Sequence, residues 1–223
     1  MSNRIHKAKV KELLIQRDFK GVLDWAISIR NPQRVLLSLT YDANELVKWR
    51  AIEAIGKVAA IQSENDYEKV RNIIRQQFWL MNDESGGLGW HAPEIIGEIL
   101  VNVPSLIEEY GEILLSFLQE EPFEIGSHIA IYRIASVNPK PFIKRVHELT
   151  GSLNQPDKHI RAYTILALGE IDPEQIRMVE KEFVSEAEEI RIYDFKTSQL
   201  KTTDLGLVVG KVLGRNKIFN DVA

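Results

Sequence analysis

Two short sets of residues share one spacing and carry most of the chemistry this sequence offers: Trp49-Arg50 followed by Glu53, and Trp90-His91 followed by Glu94. An aromatic ring, a basic group and a carboxylate within one helical turn suit two tasks. They can anchor a protein partner, since Trp and Arg are enriched at binding hot spots. They can also surround a substrate or small ligand, with the site centred on Trp90, His91 and Glu94. Further along, the same register places His128 with Tyr132, and then Tyr163. The alternative reading of these positions is structural: the tryptophans pack between helices, and the carboxylates are solvated or pair with Arg50 and His91.

Other chemistries have less to work with. The histidines are His6, His91, His128, His147 and His159. His91, Glu94 and His128 make a weak three-ligand cluster, but no ligand spacing repeats, so neither a metal nor another cofactor is expected. The absence of cysteine removes a thiolate zinc site, an iron–sulfur cluster, a disulfide scaffold and a cysteine nucleophile, and no Gly-x-Ser-x-Gly is present. No catalytic residue is therefore assigned. In segment 82–98, Gly86, Gly87 and Gly89 precede a helix whose start Pro93 marks. A glycine-rich loop at a helix start can cradle an anion. Here no Gly-Lys-Ser/Thr follows, and Asp83 and Glu84 would repel phosphate. The other reading is a tight turn that needs positive φ.

The elements that hold these residues repeat. A helical pattern recurs around small residues at Gly56, Gly97, Ala135, Gly169 and Gly210, spaced by 41, 38, 34 and 41 residues. One place before each anchor stand Ile55, Ile96, Ile134, Leu168 and Val209. Five places before stand Ala51, Ala92, Ala130, Thr164 and Leu205, and two places after stand Val58, Ile99, Val137, Ile171 and Val212. These offsets form one buried stripe of a helix. Amphipathic segments at 33–39, 67–81, 105–118, 141–149 and 174–183 precede the anchor helices and supply their hairpin partners. A helical pair at 5–17 and 20–29 caps the stack. Residues 190–195 alternate and are β-rich, 196–198 can turn and 199–203 can return, so a β-hairpin is expected there.

The anchor helices, above all those around 47–58 and 160–171, resemble HEAT repeats of the type known as phycobilisome-lyase HEAT-like. The segment from Trp79 to Ile99 is similar to one in a prokaryotic HEAT-repeat subgroup. Such repeats occur in protein-binding scaffolds, bilin lyases, deoxyhypusine hydroxylase and alkyl-purine DNA glycosylases. The hydroxylase is marked by repeated His-Glu dipeptides, of which only His147-Glu148 stands here. The resemblance implies an all-α, right-handed α-solenoid of about five HEAT-like hairpins with a small β-hairpin insertion at 190–203. It is read as one domain over 1–223, with a cap at 1–30, repeats at 31–213 and a tail at 214–223.

Composition narrows the partners. The chain has 223 residues, with 28 Lys and Arg against 32 Asp and Glu, a net charge of -4. That balance argues against a nucleic-acid partner, which needs cations to displace counterions from phosphate. No apolar run approaches ~18 residues, so no membrane span is expected. The polar N-terminal residues lack the apolar core of a signal peptide, which points to the cytoplasm. The expected function is a non-catalytic scaffold or adaptor that binds a protein on a concave face. That face is expected to be lined by Trp49, Arg50, Glu53, Trp90, His91, Glu94, His128, Tyr132 and Tyr163.

Overall fold

The computed structural model describes residues 3–82, 89–183 and 185–214. Asp83, Glu84, Gly86 and Gly87 of the glycine-rich segment, and the tail beyond 214, lie outside the described residues. The chain divides into two compact units, Met1–Leu106 with Tyr193–Leu200, and Ile107–Ile192 with Lys201–Ala223. Both are built from helical hairpins, and the small β-hairpin forms at the expected place.

In the first unit, α1 (Asn3–Ile15) and α2 (Phe19–Ile27) form the N-terminal pair. Arg17, at φ 58, turns the chain between them, and Asp18 caps α2 by accepting from the Gly21 N–H at 2.8 Å. Then come α3 (Pro32–Leu39), α4 (Glu45–Asn65), α5 (Tyr67–Asn82), α6 (Ala92–Asn102) and a 3-10 turn at Pro104–Leu106. Pro32 opens α3, and the Asn44 side chain caps α4 by accepting from the N–H groups of Leu46 and Val47 at 3.0 and 3.3 Å. Helix α3 packs on α4, α4 on α5 and α6, and α5 on α6. At the α4–α6 crossing a Cβ on Gly56 would overlap the Glu98 carbonyl and lie 2.8 Å from its carbon, so the two backbones touch only because the anchor is glycine.

The second unit comprises α7 (Ile107–Tyr110), a 3-10 stretch at Gly111–Phe117, α8 (Glu124–Ala135), α9 (Lys140–Ile143), α10 (Val146–Thr150), a 3-10 turn at Gly151–Asn154, α11 (Lys158–Ile171), α12 (Pro173–Phe183) and α13 (Leu205–Val212). Helix α11 is its centre and packs on α8, α10, α12 and α13. Gly169 allows the α13 approach, since a Cβ there would lie 2.7 Å from Val212 Cγ1. Asp157 and Asp204 cap α11 and α13 through the N–H groups of His159 (2.7 Å) and Leu207 (2.8 Å). Strand β1 (Ile190–Asp194) pairs with β2 (Gln199–Thr203). Asp194 ties the turn between them by accepting from the Lys196 N–H and the Thr197 hydroxyl at 3.0 and 2.9 Å.

The residues one and five places before each anchor are all buried. The column two places after it is buried at Val58 and Ile99, only half-buried at Ile171 and Val212, and exposed at Val137, because α8 ends at Ala135. Segments 105–118 and 141–149 are also not continuous helices. Gly111 interrupts the first, and the second breaks at Lys144 and Arg145. Among the described residues no helix is long and apolar enough to cross a membrane.

Candidate functional site

Helix α4 carries Trp49, Arg50 and Glu53 on the face expected to line an open groove. All three are buried instead, under the tip of the β-hairpin. The Trp49 ring stacks on Tyr193 at 5.4 Å with an 11° interplanar angle, and Phe195 meets it edge-on at 6.2 Å. The Arg50 guanidinium donates through Nε to the Ser198 carbonyl at 3.0 Å. Its Nη1 donates to the carbonyls of Leu14 and Ile15, each at 2.9 Å. Glu53 Oε2 accepts from the Tyr193 and Ser198 hydroxyls, both at 2.8 Å, while Lys57 stands 3.4 Å from Oε1. Burial first, and the Glu53 charge second, hold the Tyr193 phenol well above its ordinary pKa, so it remains a proton donor to that carboxylate. A charge left alone in such a place would cost several kcal/mol, and here each charge has its own partners. These three residues are therefore not available as an open binding face. They form a lock for residues 193–200.

The second set behaves differently. His91 is the N-cap residue of α6, Pro93 lies in its first turn, and Glu94 follows. His91 Nδ1 stands 3.2 Å from Glu94 Oε1, the pairing that the structural alternative anticipated. Glu94 is buried, and its Oε2 has no hydrogen-bond partner among the described residues. Trp90 projects outward with 54% of its surface exposed. Tyr41, from the turn after α3, is 57% exposed. The Tyr41 ring lies 6.0 Å from that of His91, and its hydroxyl is tied to the Trp90 backbone. Burial and the Glu94 charge raise its pKa, with the Trp90 backbone contact opposing them. The result is an exposed Tyr41 ring against a half-buried imidazole that pairs with a buried carboxylate, with the exposed Trp90 next to that imidazole in the chain. Sequence reasoning missed Tyr41. It falls in an inter-helix turn outside the repeating columns, and no periodic signal marks it.

The remaining candidates belong to the second unit. His128 on α8 is fully buried. Its Nδ1 donates to the Glu124 carbonyl at 2.7 Å, and its Nε2 has no partner among the described residues. Burial lowers its pKa to about 4, which makes it a neutral core side chain rather than a surface binder or ligand. Tyr163 on α11 is buried as well. Its ring lies 6.3 Å from that of half-buried Tyr132, so this pair serves packing between α8 and α11. Of the expected face, Trp90 and His91 reach the surface of the first unit, with Glu94 beneath them.

No family model matches the chain. It is 29% identical over 166 residues to an uncharacterized protein of Archaeoglobus fulgidus, a match that covers 71% of this chain and 84% of that protein. Among solved structures it is similar to an engineered protein at 13% identity and a TM-score of 0.54, over 96% of this chain and 91% of the other. That likeness is one of fold. Computationally designed armadillo repeat proteins for modular peptide recognition align at a TM-score of 0.49 with 16% identity, covering 93% of this chain and 98% of theirs. An archaeal HEAT-like repeats protein from Thermococcus onnurineus aligns at 0.30 with 16% identity, covering 92% and 63%.

Proposed function

We propose that this protein is a non-catalytic docking scaffold whose first unit engages a protein partner through Tyr41, Trp90 and His91. The observation that carries this reading is the exposure of Trp90 and of Tyr41, whose hydroxyl meets the Trp90 backbone, at the start of α6. Large aromatics are normally buried when they serve only the fold. Two that stay exposed while their backbone is fixed by α6 and by the Tyr41–Trp90 contact form a surface that loses little entropy on binding. The titratable groups with large shifts among the described residues, Tyr193 and His128, are buried in packing. That favours recognition over proton-transfer chemistry.

Capture of partners from source lysate by the full chain tests this. Trp90→Ala and Tyr41→Ala should each weaken retention of a stoichiometric partner by about 1–4 kcal/mol in a follow-up titration with the purified protein. Retention unchanged in both variants, with wild-type melting curves, would remove this face as the site.

The unpartnered Glu94 Oε2 supports a second reading, a small cationic or hydroxylated ligand whose donor meets that oxygen. A ligand whose binding survives Trp90→Ala but is lost in Glu94→Gln would favour it over the docking face.

A further inference from the structure

We propose that a cleft between α3 and α5, separate from the Tyr41–Trp90 face, binds an extended, acidic segment of a polypeptide. The cleft encloses about 560 Å³, within the range of ligand sites. Four carboxamides line it: Asn31 and Gln33 from the α3 side, Asn72 and Gln76 from α5. A carboxamide offers both a donor and an acceptor, the complement of a peptide unit. Gln33 is only 6% exposed, and its Nε2 is spent on Gln62, yet its Oε1 has no partner. A buried acceptor left unpaired is costly, and a peptide N–H supplies the missing donor.

The charges on the walls are unequal in what they have to do. Glu68 is held by Arg71 and Arg75, and Asp66 accepts the Lys69 backbone N–H at the start of α5. Among the described residues the side-chain cations of Arg34 and Lys69 have no carboxylate partner. A backbone N–H does not cancel the Asp66 charge, so with Glu68 paired the walls set two cations, Arg34 and Lys69, against one carboxylate, a positive excess on a chain whose net charge is -4. Leu37 and Ile73 give it an apolar strip. Four amides along the two walls, of which only Asn72 already has its acceptor taken up by Arg75 at 3.1 Å, two cations without a carboxylate partner among the described residues and an apolar strip suit a strand-like backbone bearing Asp or Glu. They suit a single small anion less well, since it would use the cations alone. Nucleic acid would need many more cations.

The test uses the full chain labelled with ¹⁵N and two capped synthetic peptides of equal length, one alternating Ser and Glu, the other Ser and Lys. The acidic peptide should shift amide resonances along α3 and α5, and the basic one should not. The Arg34→Ala/Lys69→Ala double variant, altered at one exposed and one half-exposed side chain, should bind about tenfold more weakly while keeping the wild-type melting curve. Trp90→Ala should bind the peptide as the wild type does, which separates this site from the docking face proposed above. The inference is overturned if the acidic peptide gives no shifts at millimolar concentration, if the basic peptide binds equally, or if the double variant is unaffected. It is also overturned if inorganic phosphate reproduces the same shifts with the same affinity.

Discussion

Glu53 receives two hydroxyl donors from a segment about 140 residues further along the chain, and those two bonds explain why a carboxylate is tolerated where water does not reach. Tyr193 supplies one of them while stacking on Trp49, so its ring and its hydroxyl do separate work. Tyr193→Phe keeps the ring and removes the donor. It should cost about 1–3 kcal/mol, because Glu53 stays buried with one hydroxyl fewer. Urea unfolding read by fluorescence checks this, and a loss below about 0.5 kcal/mol would mean that the hydroxyl is not structural. The spacing of Trp49, Arg50 and Glu53 was legible in the sequence, and so was their common side of the helix. What covers that side was not. Periodicity reports which residues share a face, whereas the cover comes from a hairpin far away in the chain, and no local pattern encodes that pairing.

Among elements, the small anchors decide how closely helices approach. Gly56→Ala gains helix propensity of up to about 1 kcal/mol, but the new methyl meets the Glu98 backbone, which cannot move aside as a flexible side chain could. The net effect should be a loss of about 1–3 kcal/mol. Gly151 is the control. It has φ -57, and nothing lies within 4 Å of an added Cβ. Gly151→Ala should therefore be stabilising by about 0.4–1 kcal/mol. Thermal melts of both variants check the pair, and equal effects at the two positions would contradict the close-approach account. The anchors themselves were readable because small residues recurred among apolar ones at helical offsets. The breaks at Gly111 and at Lys144–Arg145 were less so. There the apolar spacing continues through the interruption, and the pattern alone reads as one helix.

For the molecule as a whole, acid acts through a histidine that serves packing. Folded His128 titrates at about 4 against 6.5 when unperturbed, because burial opposes its charge. The stability this neutral side chain allows is fully present above about pH 6.5. It declines as the pH falls from there, since the unfolded chain takes up the proton first, and the loss levels off near pH 4 at about 3 kcal/mol. His128→Gln should flatten the difference in urea midpoint between pH 7 and pH 4.5. An unchanged pH slope would assign acid sensitivity to other groups. The sequence was read as one repeat domain, and the contacts fall into two compact units.

The lock on Arg50 and Glu53 also sets a timetable for synthesis. The helices of the first unit are complete in the nascent chain by residue 106, but the segment that seals them begins at residue 193. At roughly 5–20 residues per second, the ribosome takes on the order of ten seconds to deliver it. During that interval a guanidinium, a carboxylate and an indole remain uncovered on a unit that has otherwise condensed. A message truncated before codon 193 would release a product in that state permanently, and its open aromatic face would make it a substrate for chaperones and proteases.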